Sequence, residues 1–224
     1  PFASYRYQGG LRLFLSVRDR HGSRTIDALD GGFCRSASAS SVKYIANTKV
    51  GDNDAKNGAS RGKAITMLTV RGDSACFVVS LTYEGNAGTV CPMLCFTPAL
   101  KPEKDYNTHP VYHDLSVTSE FFDAENILLY RVLARGNEGE RWLAVTLEAS
   151  GGGVSFATRR EGILPMLYGD SDLMALADMP FDNATGSCIT PFCAVKKQSE
   201  TKSGRYACAF LIAKAKSRSE AIQI

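Results

Sequence analysis

The sequence holds no run of about 18 apolar residues, the length a bilayer-crossing helix needs. It also lacks a charged start followed by an apolar stretch and a small-residue cleavage pattern, so neither a membrane span nor a secretory leader is expected within these residues. An excess of one charge is missing too. Against 26 Lys and Arg stand 23 Asp and Glu, and a formal net charge of +3 is too balanced for the electrostatic footprint of a nucleic-acid-binding protein. No βαβ alternation runs through the chain, which excludes a parallel α/β sheet, and no internal repeat of fixed period occurs. A complete disulfide framework is not expected either. The seven cysteines are odd in number and irregular in spacing, which argues for a reducing, cytoplasmic setting. Cys91/Cys95 and Cys188/Cys193 have unlike spacings and no accompanying His, so they read as buried small hydrophobes rather than metal pairs, and no metal or cofactor is expected.

What is present is β-forming sequence. With 44% hydrophobic residues over 224, the chain fits one large all-β domain, which at this size buries roughly 70% of its unfolded-chain surface. Residues 75–83 are rich in β-branched and aromatic types and run into Glu84-Gly85-Asn86-Ala87-Gly88, where Gly and Asn suit a tight turn. The next arm, Thr89 to Phe96, stops at Thr97-Pro98, because proline cannot donate to a ladder. Together they predict a hairpin. After a polar loop, Leu115–Ser119 alternates apolar with polar, turns through Asp123-Ala124-Glu125-Asn126 and returns over Ile127–Leu133, a second hairpin. Leu11–Asp19 and Arg24–Ala28 predict an opening hairpin around Gly22; 51–62 predicts an exposed tip, with Lys63–Val70 resuming the sheet.

Trp142–Glu148 returns through Gly151-Gly152-Gly153 into Val154–Thr158, again as a hairpin, since no Lys-Ser/Thr follows the glycines as a phosphate cradle requires. Pro191–Lys197 and Arg205–Ala215 predict a last hairpin, and Asp170–Ala177 a short helix ended before Pro180. Roughly a dozen strand candidates at this spacing predict a two-sheet antiparallel sandwich with at most one or two short helices. Period-two spacing puts Phe77, Val79, Leu81, Leu128, Tyr130, Leu143, Val145, Phe210 and Ile212 inward. Ser217-Arg218-Ser219-Glu220 is a capping-box pattern that opens a helix. The expected organisation is a β domain over 1–216 and, in a fragment of a longer protein, the start of a linker helix over 217–224.

Several stretches in order carry a family resemblance. A strand of the type Val78-Val79-Ser80-Leu81-Thr82-Tyr83-Glu84-Gly85, a strand ending before Pro98 and a Lys/Asp-rich loop lead to His109-Pro110-Val111-Tyr112, then to the strand with Leu128-Leu129 and Arg131. This order resembles the N-terminal β-supersandwich domain of glycosyltransferase family 36 proteins, now placed with the family 94 glycoside phosphorylases. Phe156-Ala157-Thr158-Arg159-Arg160 stands where such domains read Phe-x-Thr-Asp-Arg, and Ile189-Thr190-Pro191 where Leu-Asp-Pro is usual, so two acidic positions of the pattern are Arg159 and Thr190 here. Gly204 before a long apolar strand and Ser217–Ala221 resemble the closing signature. The resemblance implies a galactose-mutarotase-like supersandwich that is non-catalytic. In such proteins the general acid and most of the phosphate site belong to a following (α/α) barrel, and the sandwich packs on that barrel, lends loops to an oligosaccharide or β-glucan cleft and takes part in homodimer contacts.

Candidate contacts follow from residue chemistry. Tyr106 and Tyr112 offer aromatic faces to sugar rings, or to a domain interface, from the loop 101–114, which is expected at one rim of the sandwich. His109 and His113 lie in the same loop. They read either as loop-shaping hydrogen-bonders or, in a stand-alone mutarotase-like epimerase, as an acid and base titrating near neutral pH. Arg159 and Arg160 end a strand and suit a phosphate or sugar hydroxyl, with a salt bridge to Glu161 as the plainer fate. Trp142, on an apolar strand, reads as core. A purely structural assembly module is the third function class.

Overall fold

The computed structural model describes residues 11–19, 22–29, 34–38, 40–50, 60–71, 76–98, 100, 117–132, 139–150, 153–161, 163, 178–188, 190–201 and 204–223, with backbone alone at 34, 35, 48–50, 60 and 61. Among them the strands are β1 Arg12–Asp19, β2 Gly22–Asp27, β3 Cys34–Ala37, β4 Ser41–Val50, β5 Ser60–Arg71, β6 Cys76–Gly85, β7 Thr89–Phe96 and β8 Val117–Phe122. They continue as β9 Ile127–Val132, β10 Arg141–Ala149, β11 Ser155–Arg159, β12 Gly186–Cys188, β13 Pro191–Lys196, β14 Ser199–Glu200 and β15 Arg205–Ala215, with one helix, α1, at Arg218–Ile222. No helix among the described residues is long and apolar enough to cross a membrane.

The protein is an all-β sandwich of two antiparallel sheets. The larger has nine strands in the order β12-β8-β9-β10-β15-β6-β5-β4-β3; the smaller has six, β11-β13-β7-β1-β2 with β14 also on β7. One core joins them: Leu13, Leu15, Val90, Leu94 and Val195 of the small sheet face Val79, Leu81, Leu128, Tyr130, Leu143, Val145, Phe210 and Ile212 of the large one. The inward set read from period two is therefore found buried, with Phe77 partly buried at its margin. A hydrogen bond crosses the layers within this core, where the Tyr130 hydroxyl donates to the Phe192 carbonyl at 2.6 Å.

The small sheet is covered on both faces, which explains the unbroken burial of β7 and β13. Its outer face forms a second core of Phe14, Met93, Cys95, Phe192 and Ala194 with Ile163 and Phe181 laid over it. Pro92 has no N–H to donate, and it lies where the neighbouring ladder is interrupted between β13 and β14. On the outer face of the large sheet, α1 packs Ala221 against Ile127, Leu129, Trp142, Ala144 and Ala215. Ser217 caps this helix, its Oγ accepting from the Glu220 N–H at 3.2 Å. The Glu220 carboxylate reaches back one residue further than a capping box does, to the Lys216 N–H at 2.8 Å.

Two predicted hairpins form, β1–β2 and β8–β9, the second turning through Asn126 at φ 55°. Three do not. β6 pairs with β5 and β15 while β7 pairs with β1 and β13; β10 and β11 fall in different sheets, and so do β13 and β15. The reason lies in where the turn's backbone groups go. Gly85 N–H donates to Gly204 O at 2.8 Å and Gly88 N–H to Arg18 O at 2.9 Å, so the segment after β6 is stitched to other strands and carries the chain from one sheet to the other. Turn residues mark a reversal without naming the strand that will pair. The tip 51–59, the glycines 151–152 and the helix expected over 170–177 lie outside the described residues.

Candidate functional site

Of the six residues singled out in the sequence, Tyr106, His109, Tyr112 and His113 lie outside the described residues. Arg159 and Arg160 are described, and they part company at the end of β11. The ladder between β11 and β13 shifts register between Ala157 and Arg159, a bulge that re-aims the strand end. Arg159 is exposed. Arg160 is half-buried and turns back to the small sheet, its Nη2 donating to Thr97 Oγ1 at 3.0 Å and its backbone N–H to Thr190 O at 3.1 Å. Arg160 is thereby a structural contact, while Arg159 lines a cleft.

That cleft has a volume of about 620 Å³ and is walled by β11, the turn after it and the segment before β12. Among the described residues its apolar floor is Ala157, Ile163, Met179, Pro180 and Phe181, and its polar groups are Arg159, Glu161, Asp182 and Ser187. The segment 178–184 is fixed on the small sheet by six contacts. Asp178 pairs with Arg18 on the surface, and the buried Lys196 donates its Nζ to the Met179 carbonyl while lying 4.5 Å from the centre of the Phe181 ring. Asn183, at φ 52°, takes the place of a further strand beside β11: its Oδ1 accepts from Phe156 N–H at 2.7 Å and its own N–H donates to Phe156 O at 3.2 Å. Thr158 Oγ1 donates to Ala184 O at 2.9 Å. Burial pulls the Lys196 pKa down, against the opposing pull of Cys91 and Asp178.

Glu161 carries the clearest electrostatic signature. Thr190 Oγ1 donates to its Oε1 at 2.5 Å. That bond, then the residue's own backbone N–H, and then the charges of Arg159 and Arg160 hold the carboxyl below its ordinary range. Thr190 and Arg159 thus act on one carboxylate, since Thr190 hydrogen-bonds it and Arg159 stabilises its charge. Thr190→Val is expected to raise the Glu161 pKa toward the ordinary glutamate value, read from side-chain NMR titration; an unchanged pKa would remove Thr190 from the site. A carboxylate held ionised accepts hydrogen bonds from hydroxyls and is poorly suited to donate a proton as a general acid.

Sequence reasoning missed Glu161, Asp182, Ser187 and the Met179–Phe181 floor as site residues. Pro180 reads in the sequence only as the end of a short helix, and a helix stop does not say which sheet the following segment will cover. Trp142 is buried on the outer face of the large sheet, with the Arg131 guanidinium 5.5 Å above its ring, which agrees with its reading as core. No protein-family model and no curated protein matches the sequence.

Proposed function

We propose that this chain is a non-catalytic, carbohydrate-associated β-sandwich domain of a larger cytoplasmic enzyme of the family 36/94 type. Its sugar is held in the cleft at the end of β11. The observation that carries this reading is the cleft's composition: among the described residues, one guanidinium, two carboxylates and a hydroxyl surround an apolar floor of Met179, Pro180 and Phe181. Neutral polyols have apolar C–H faces and hydroxyl edges that donate and accept together, and such a lining satisfies both. Charges of both signs disfavour a polyanion or a polycation. The ordered resemblance along the chain, the two-sheet architecture and the buried free thiols of Cys91, Cys95, Cys188, Cys193 and Cys208 support the wider assignment.

The test is a calorimetric titration of the chain with mono- and disaccharides, since Trp142 lies on the other sheet and is no reporter for this cleft. Arg159→Ala is expected to weaken binding about ten-fold or more, the loss of one or two charge-assisted hydrogen bonds. Its melting temperature should stay unchanged because the side chain is exposed. Equal affinity in wild type and Arg159→Ala would remove the cleft from the function.

A further inference from the structure

A second concavity, of about 340 Å³, adjoins the first and is lined by Gly153, Ser155, Asp178, Lys196, Lys197 and Gln198 together with Met179 and Pro180. Met179 and Pro180 line both hollows. They form a saddle, with Pro180 exposed and Met179 half-buried between Arg159, Glu161, Asp182 and Ser187 on one side and Ser155 and Gln198 on the other. The saddle is anchored. Met179 is held from below by the Lys196 ammonium, Phe181 is buried in the second core, and Asn183 is bonded to Phe156 on both sides.

We infer that the two hollows are successive subsites of one groove, and that the groove takes a linear, uncharged oligosaccharide lying across the Met179–Pro180 saddle. This rests on the sugar-binding reading of the first cleft and extends it to ligand length. Three features of the second hollow point the same way. It holds both signs of charge in Asp178 and the two lysines, as the first does, so the chemistry that suits a neutral hydroxylated chain continues across the saddle. Both lysine ammonium groups are already turned to backbone carbonyls, Lys196 to Met179 and Lys197 to Ala149, so the polar contacts offered to a ligand by the described residues are the exposed Gln198 amide and the Ser155 hydroxyl, which donates to Asn183 Oδ1 at 3.4 Å and keeps its lone pairs to accept. The saddle's apolar top matches the C–H face of a sugar unit passing over it. A single sugar fills one hollow; only a chain engages both, and linking the two contacts makes the second intramolecular.

The experiment titrates the full 224-residue chain with β-linked gluco-oligosaccharides of increasing length, from the monosaccharide upward. Two variants accompany it. Gln198→Ala removes an exposed contact of the second hollow, and Gly153→Trp places bulk in its lining, where a Cβ meets nothing within 4 Å. Affinity is expected to rise about ten-fold or more from one unit to four. Both variants should abolish that gain while leaving monosaccharide affinity and melting temperature as in the wild type. Affinity independent of length, or a length gain that survives Gly153→Trp, would overturn the two-subsite groove and leave the single cleft standing. Absence of binding at every length would overturn the sugar-binding reading and the groove with it.

Discussion

Between pH 8 and pH 10 the folded chain is expected to lose about 5 kcal/mol of stability, mainly from four cysteines that carry no disulfide. Burial pushes the Cys91 thiol up from 9.0 to about 11 and those of Cys193 and Cys208 to about 12, with Cys95 raised further. In the unfolded chain these thiols ionise near their ordinary value, so above it the unfolded state sheds protons that the folded state keeps. A raised folded-state pKa gives stability that is whole below the unfolded value and is lost as pH climbs toward the folded one. Each group costs a little over 1 kcal/mol per pH unit in that window. Urea midpoints measured under reducing conditions from pH 7 to 10 check this. Removing Cys95 and Cys193 together, as alanines, should roughly halve the slope. A flat profile would mean that the thiols reach water in the folded state.

Leu143→Ala is expected to cost about 2 to 5 kcal/mol, the range for a buried leucine whose cavity cannot close. Leu143 lies on β10, in the middle of the nine-stranded sheet, with Tyr130 opposite it on β9 and Lys214 opposite it on β15. Its side chain is fully buried between the sheets. Strands on both sides and a second sheet above keep the backbone from collapsing into the space left behind. Denaturant unfolding gives the difference directly, and a loss below about 0.5 kcal/mol, the scale of surface substitutions, would place Leu143 on the wrong face.

Local features were the most legible in the sequence. The period-two sets of β6, β9, β10 and β15 found their common core, β7 runs from Thr89 to Phe96 as its flanking Gly88 and Thr97-Pro98 foretell, and Ser217 caps α1. Pairing across distance was not legible. β6 and β7 are joined by a turn of hairpin composition, yet they serve different sheets, because β7 must be covered on both faces and finds its partners in β1 and β13. The same blindness hid the cleft. Arg159 was marked by its type and strand-end position, but the lowered pKa of Glu161 comes first from Thr190, distant in sequence and brought beside it by the β11–β13 pairing. The floor came from a segment marked only by the proline that ends a helix, and its place depends on a buried lysine, Lys196, whose stretch reads as an ordinary strand. The tyrosine and histidine loop, the other half of the sequence-based site, lies outside the described residues.

The most direct test of the sugar-binding reading is to follow backbone amide shifts of the isotope-labelled chain during titration with a neutral disaccharide. Saturable shifts should cluster at Arg159, Glu161, Ile163 and residues 179–187, while Ala221 and its neighbours around Trp142 on the far sheet stay still. Shifts confined to residues 101–114, with the cleft silent, would contradict the account and return the site to the tyrosine and histidine loop.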